Sequence, residues 1–232
     1  MKNTLIIGER YKSRLESALT ALDMDVLWLC DNPYIDTRLA GHADLSAIRL
    51  GKKIIASRYI IENSNYVNYL TNKGYDILPA CAVQGKKYPA DSNLCACVAG
   101  SSLIHNLHYT DPAILDIFQG KKIHVGQGYA KCSCCVVADD CLISADSGIE
   151  QAVYKHNIEL LKIKAGDIVL DGFDYGFIGG ASIVIDDAVL FTGMLADEHD
   201  RHCVEVLVRN RGKQPIYLSH GRIFDIGGAI VL

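Results

Sequence analysis

The sequence predicts an α/β fold with five-fold pseudosymmetry, in which five ββαβ units form a propeller. Three observations predict it. Four segments share one outline, a helical stretch and a strand follow each of them, and the two ends of the chain match the two halves of one further unit. The units form a single domain over residues 1–232, with the fifth unit split between residues 1–30 and 220–232. Pairing of the N- and C-terminal strands is expected to close the ring, which removes an open sheet edge.

The four similar segments each read as a β-hairpin. Each begins with small residues, continues with β-formers, has a two-residue polar centre and ends in a second apolar run, the pattern of two strands joined by a tight turn. The segments are "HADLSAIRLGKKIIAS" from His42, "DSNLCACVAGSSLIHN" from Asp91, "AKCSCCVVADDCLISA" from Ala130 and "FIGGASIVIDDAVLFTG" from Phe177. The polar centres are Lys52-Lys53, Ser101-Ser102, Asp139-Asp140 and Asp186-Asp187.

A helix and a third strand are predicted after each hairpin. Asp111 and Pro112 form a cap and first-turn pair for the second helix, and Ser147 and Glu150 fit a capping box before the third, "QAVYKHNIELLK". The third strands are predicted at "YDILPA", "KKIHVG", "GDIVLD" and "PIYLS".

The two termini together complete the fifth unit. "DIGGAIVL" at the C-terminus matches "FIGGASIVI" and stops where the hairpin turn is expected. "MKNTLIIG" at the N-terminus matches "IDDAVLFT", with Lys2-Asn3 at the turn, and a helix and the strand "VLWLC" follow.

Composition excludes several classes of function. A net charge of −4 without a basic stripe argues against a nucleic-acid partner, and no stretch is long enough for a membrane helix. Nine cysteines without a secretory signal predict reduced thiols and a cytoplasmic location. Their C-x-C spacing suits buried structural thiols better than a tetrahedral zinc site, so no metal and no cofactor are predicted. The oligomeric state is left open.

The architecture resembles the pentein fold of the guanidino-group-modifying enzymes, which include arginine and agmatine deiminases, amidinotransferases and dimethylarginine hydrolases. The superfamily also has non-catalytic members. The resemblance implies a cysteine nucleophile after the C-terminal glycine-rich strand start, but Val231 and Leu232 stand there in "GGAIVL". It implies a histidine where this chain has Phe177 and a carboxylate where it has Gly179. The chain is therefore similar to a divergent pentein without the usual catalytic pair.

In such a ring the starts of the first strands face the central axis, or hub, and a two-residue period defines which side chains line it. One layer holds His42, Asp91, Ala130, Phe177 and Asp225. The next holds Asp44, Asn93, Cys132, Gly179 and Gly227. The deepest holds Ser46, Cys95, Cys134, Ala181 and Ala229. The small residues are expected to pack crowded strands, and the polar ones to form a site.

Two functions remain open. The first is a protein that binds a small cationic ligand, a guanidino compound or an amine, through Asp44, Asp91, Asn93, Asp225 and His220 without the usual catalytic residues. The second is a cysteine-dependent hydrolase or transferase acting on a guanidino compound, in which Cys132 is a relocated nucleophile and His42, or else His220, moves protons. Each residue also has a structural interpretation: Cys132 as a buried thiol, Asp91 as a turn cap, and His42 as a loop residue.

Overall fold

The computed structural model describes residues 3–232 as a mixed α/β fold with five three-stranded sheets. In every sheet the central strand pairs antiparallel with one neighbour and parallel with the other. By sheet, the strands are β1 (Thr4–Gly8), β2 (Asp25–Leu29) and β15 (Ile230–Val231); β3 (Ala47–Leu50), β4 (Lys53–Ala56) and β5 (Asp76–Pro79); β6 (Cys97–Ala99), β7 (Ser102–His105) and β8 (Lys121–His124); β9 (Cys135–Ala138), β10 (Cys141–Ser144) and β11 (Glu159–Lys162); and β12 (Ser182–Val184), β13 (Ala188–Phe191) and β14 (Gln214–Tyr217).

Helices connect the parallel strands, as a parallel crossover requires. They are α1 (Lys12–Ala21), α2 (Arg58–Ile61), α3 (Ser64–Asn72), α4 (Pro112–Ile117), α6 (Ser147–Tyr154) and α7 (Glu198–Asn210), whereas the short helix α5 (Ala130–Ser133) leads into β9. Four of the five sheets therefore follow the predicted ββαβ order directly along the chain.

The fifth sheet joins the two ends of the described chain. Strand β15 pairs antiparallel with β1, with Leu5 opposite Val231 and Ile6 opposite Ile230. The predicted pairing of the terminal strands is present, and the predicted turn at Lys2-Asn3 lies partly outside the described residues. Over residues 3–232 the sheets remain five separate sheets, and none closes on itself.

The third strand of the sheet formed by β9, β10 and β11 differs from the prediction. The sequence suggested "GDIVLD", but β11 is Glu159–Lys162, and in the suggested segment only Val169 forms an isolated bridge, to Phe224. The reason is Asn157, which takes a left-handed conformation at φ 57° and ends the helical stretch early. The sequence predicts a helix that runs on through "NIELLK", because its apolar residues continue the helical spacing.

Three local details also differ from the prediction. The first two hairpin turns lie one residue earlier, because Gly51 and Gly100 supply the positive φ that a two-residue turn needs. The cap of α6 is Asp146, whose carboxylate accepts from the amides of Gly148 at 2.7 Å and Ile149 at 2.9 Å, and Ser147 lies inside the helix.

The segments that lead into the first strands are not extended as the two-residue period assumed. Residues Ala43–Leu45 form a 3-10 turn and α5 is a single helical turn. At the crowded hub these residues form no strand ladder, and single backbone hydrogen bonds join neighbouring segments instead. The Lys131 amide donates to the Cys95 carbonyl oxygen at 2.9 Å, and the Gly180 amide donates to the Cys132 carbonyl oxygen at 2.8 Å. The crowding is visible at Gly179, where an added Cβ would lie 2.3 Å from the carbonyl oxygens of Lys131 and Cys134.

Five hydrophobic clusters each join two successive sheets. Ile48 and Leu103 share one cluster, and Ile104 and Leu142 share the next. The third joins the β9 sheet to the β12 sheet, the fourth joins that sheet to β1 and α1, and the fifth joins β1 and β15 to the β3 sheet. Followed in order, the shared clusters lead from the β3 sheet through the other four sheets and back to the β3 sheet.

Among residues 3–232, no helix has the length and apolar character needed to cross a membrane.

Candidate functional site

A cavity of about 280 Å³ lies where the chain enters the first strands of the sheets. Four aromatic rings line it, from Tyr129, Phe173, Tyr175 and Phe177. Its polar lining comes from His42, Cys132, Asp174 and Asp225, and its remaining lining comes from Leu39, Leu45 and Leu170. We call it the aromatic cavity.

The aromatic loop of this cavity runs from Asp171 to Gly176. Phe173 and Tyr175 are about two-fifths exposed, so their rings form the rim. The guanidinium of Arg38 lies 4.3 Å from the ring centre of Phe173 and donates to the carbonyl oxygen of Gly172 at 3.1 Å. These contacts hold the rim in place.

Cys132 and Asp44 are in direct polar contact at the hub. The Cys132 thiol donates to Asp44 Oδ2 at 2.8 Å, and the Cys95 thiol donates to the same oxygen at 3.4 Å. The contact to Cys95 and burial together raise the pKa of Cys132 well above its ordinary value, so the thiol is neutral in the free protein. Burial raises the pKa of Asp44 to about 6 against the opposing charge of Lys131.

His42 presents an unpaired nitrogen to the hub. Its Nε2 is buried and has no hydrogen-bond partner among the described residues. Burial, and secondly the charge of Arg10, lower the pKa of His42 to about 3, so the imidazole is neutral and one of its ring nitrogens is a hydrogen-bond acceptor. Gly227 packs directly on it, and a Cβ there would lie 2.2 Å from the His42 side chain.

These three side chains also form a possible metal-ligand set. One donor atom each from His42, Asp44 and Cys132 lies within 4.8 Å of the others, and all three residues are buried. Imidazole nitrogen, carboxylate oxygen and thiolate sulfur are ligand types that suit Zn²⁺. The sequence predicted no metal here because only the folded chain brings these three residues together.

Asp225 places a buried carboxylate in the aromatic cavity. Its Oδ2 accepts from the Phe177 amide at 2.8 Å and its Oδ1 accepts from the Gly227 amide at 2.7 Å. Burial raises the pKa of Asp225 to about 7 despite these bonds. Gly180 lies against it, and an added Cβ would come within 1.9 Å of Asp225 Oδ1.

Three other predicted site residues, Asp91, Asn93 and His220, do not line the aromatic cavity. Asp91 is buried just behind it and accepts from the Tyr129 hydroxyl at 2.8 Å. The amide of Asn93 donates to the carbonyl oxygen of Tyr109 at 3.4 Å, and Asn93 is not part of the cavity lining. His220 is exposed on a loop and is likewise not part of the lining.

Sequence reasoning missed Lys131. A two-residue period turns this residue away from the hub, whereas the helical turn of α5 lets it line a second cavity beside Asp44. Its charge among the uncharged residues of "GYAKCSCCVV" was the available signal.

Comparison with known proteins places the chain in a family. Residues 6–230 match the family of unknown function DUF6873. The chain belongs to this family. No curated protein matches the chain.

Solved structures show which fold this chain has. A dimethylarginine dimethylaminohydrolase, solved as an adduct with S-methyl-L-thiocitrulline, matches with a TM-score of 0.60 and 9% identity over 100% of both chains. Agmatine deiminase from C. jejuni matches with a TM-score of 0.54 and 10% identity, covering 94% of this chain and 88% of that one. An amidinotransferase from Microseira wollei gives 0.54 and 10%, covering 93% and 88%. The predicted resemblance is confirmed, and the chain has the pentein fold.

Proposed function

We propose that the aromatic cavity binds a small organic cation, a guanidino compound or an amine. The observation that carries this is Asp225, a buried carboxylate in the cavity that forms no ion pair with any Lys or Arg of residues 3–232. An unpaired buried carboxylate is costly, and a bound cation offsets that cost. The aromatic rings favour the same ligand, because their faces attract cations.

The arrangement of the sheets supports a ligand site at a hub. We take the five sheets to form a closed ring, which the cyclic sharing of hydrophobic clusters and the β15–β1 pairing support. The solved structures with this fold include proteins named for agmatine, dimethylarginine and amidino transfer, which favours a guanidino group over a simple amine.

Calorimetric titration with methylguanidinium and agmatine tests the proposal. Urea, a neutral molecule of similar shape, serves as the ligand control. We expect both cations to bind and urea not to bind. Asp174→Asn removes a carboxylate at the rim and is expected to weaken cation binding about two- to fivefold, as for an exposed ion pair. Asp171→Asn is the matched control, since Asp171 is exposed on the same loop but does not line the cavity.

The pH dependence tests the role of Asp225. Methylguanidinium stays protonated throughout, so only the protein titrates. With a pKa of about 7 for Asp225, the carboxylate is mostly ionised at pH 8 and mostly protonated at pH 6. Affinity should fall about tenfold from pH 8 to pH 6, because the cation must displace a proton. A flat profile, or equal binding of urea, would overturn the proposal. Repeating the titration in the presence of EDTA shows whether cation binding depends on a metal ion.

A second candidate is a cysteine-dependent reaction, favoured by the Cys132–Asp44 hydrogen bond and by His42, whose ligand atom lies within 4.8 Å of both. The Cys132 proton would pass to Asp44 or to His42 Nε2, the sulfur would bond to the guanidinium carbon, and the leaving amine would take up a proton as its C–N bond breaks. The neutral thiol of the free protein fits this only if the bound cation promotes its ionisation.

Chloroacetamidine and chloroacetamide separate the two candidates. Both alkylate a thiolate with loss of chloride, but only the amidinium carries the charge that the aromatic cavity favours. A nucleophilic Cys132 gives a Cys132 adduct with chloroacetamidine and little with chloroacetamide, read by peptide mass spectrometry. If the cavity binds cations without catalysis, methylguanidinium still binds in calorimetry, and chloroacetamidine forms no more Cys132 adduct than chloroacetamide does. The exposed Cys30 and Cys81 report the intrinsic reactivity of each reagent.

A further inference from the structure

A second cavity of about 260 Å³ lies further along the first strands than the aromatic cavity. Its lining includes residues of β3, β6, β9, β12 and β15, one strand from every sheet. Its charged residues are Asp44, Arg49 and Lys131. We call it the lysine cavity. The function proposed above does not use it.

Lys131 brings a positive charge to the lysine cavity. Among residues 3–232 its ammonium has no ion pair and no side-chain hydrogen bond. Gly228 leaves it room, since an added Cβ there would lie 3.1 Å from Lys131 Nζ. Burial opposes the charge, but the nearby Asp44 carboxylate favours it, and the pKa of Lys131 lies above its ordinary value.

Apart from the buried Ser182, the rest of the lining is mainly apolar. Ile48, Leu94, Val136 and Val184 surround the space. Arg49 is exposed and donates to the Val231 carbonyl oxygen at 2.7 Å. Two cations and one carboxylate give the lining a net charge of +1, which favours an anion.

We propose that the lysine cavity binds a small carboxylate with an apolar body, which pairs with Lys131 and packs against the aliphatic walls. A carboxylate supplies the acceptor that the ammonium lacks, and a charge-assisted hydrogen bond inside a cavity is stronger than one in water. The apolar body gains by leaving water, which separates this ligand from inorganic anions such as phosphate.

Titration with benzoate, benzamide and inorganic phosphate tests the proposal by calorimetry. Benzamide has the shape of benzoate without its charge, and phosphate has charge without an apolar body. Benzoate is expected to bind the wild-type chain at least about tenfold more tightly than either, because a hydrogen bond to a charged group is lost in the first and the apolar contact in the second. Equal binding of benzamide, or no binding of benzoate, would overturn the proposal.

Two variants locate the binding. Lys131→Met keeps the length and apolar stem of the side chain and should reduce benzoate affinity at least about tenfold. Lys164→Met is the control, since Lys164 is an exposed lysine outside the cavity. If Lys131→Met does not fold, Arg49→Gln is used instead. It removes the exposed cation at the rim, and benzoate affinity is expected to fall about two- to fivefold. Unchanged benzoate binding in the variant that folds refutes the assignment.

Discussion

Asp44 connects the two cavities at the scale of a single residue. It lines the lysine cavity, and its Oδ2 accepts the hydrogen bond of Cys132, which lines the aromatic cavity. Its Oδ1 is buried without a hydrogen-bond partner among the described residues. A carboxylate in this position is costly when ionised, so it is a site where function and stability oppose each other.

Asp44→Asn is therefore expected to stabilise the protein at neutral pH. The wild-type carboxyl has a folded pKa of about 6, against an ordinary value of 3.8, so the folded state holds its proton more tightly than the unfolded state. Wild-type stability is then lost as pH rises from about 4 to about 6, and the amide variant avoids that loss. At pH 7 the variant should gain about 2–3 kcal/mol in the free energy of unfolding.

Urea denaturation of both proteins at pH 4 and pH 7 measures this difference. The advantage of Asp44→Asn should shrink strongly at pH 4. Asp186→Asn, an exposed carboxyl in a hairpin turn, is the control and should change little at either pH. A variant that is less stable than wild type at pH 7 would contradict the interpretation that burial of the Asp44 carboxylate outweighs its favourable contacts.

At the scale of elements, the sequence predicted where helices begin better than where they end. The "DP" pair placed α4 correctly, since Asp111 accepts from the Ala113 amide at 2.9 Å and Pro112 opens the helix. The end of α6 was missed, because the apolar residues of "NIELLK" continue a helical spacing. Only Asn157 in its left-handed conformation marks the end, and asparagine is a weaker stop signal than glycine.

The start of α6 gives a test at this scale. Asp146→Ala removes the acceptor for two helix amides and should cost about 1 kcal/mol of folding stability. Ser147→Ala is the matched control, because Ser147 lies inside the helix and its hydroxyl only accepts from the Lys162 ammonium at 2.6 Å on the surface. Chemical denaturation measures both. An equal loss of folding stability in the two variants would contradict Asp146 as the cap and favour Ser147, the cap that the sequence predicts.

At the scale of the whole molecule, no sheet has a core of its own. Each three-stranded sheet contributes to two hydrophobic clusters, one shared with each adjoining sheet. Small sheets cannot bury enough apolar surface alone, so their stability depends on their neighbours. Unfolding is therefore expected to be cooperative across the five units.

Ile230→Ala tests this cooperativity at β15, the two-residue strand beside β1. Ile230 is buried in the cluster shared with the β3 sheet, so the substitution should cost about 2–4 kcal/mol. Trp28, the only tryptophan of the sequence, reports the β1 sheet by fluorescence, while circular dichroism reports the whole chain. The two unfolding curves should shift together. A shift in the tryptophan curve alone would show that the sheets unfold independently. Val83→Ala, at an exposed position, should leave both curves unchanged.

The sequence by itself determined the repeated unit, the split of one unit between the termini and the entry of polar residues into the hub. These follow from patterns that are local along the chain: strand runs, turns and caps that recur in one order. The tertiary structure decided which side chains meet there. Where the five segments meet, residues 43–45 and 130–133 turn helically, and single backbone hydrogen bonds to neighbouring segments replace a strand ladder. That turn brings Lys131 into the hub together with Cys132, and no pattern along a single segment specifies contacts that form only when all five meet.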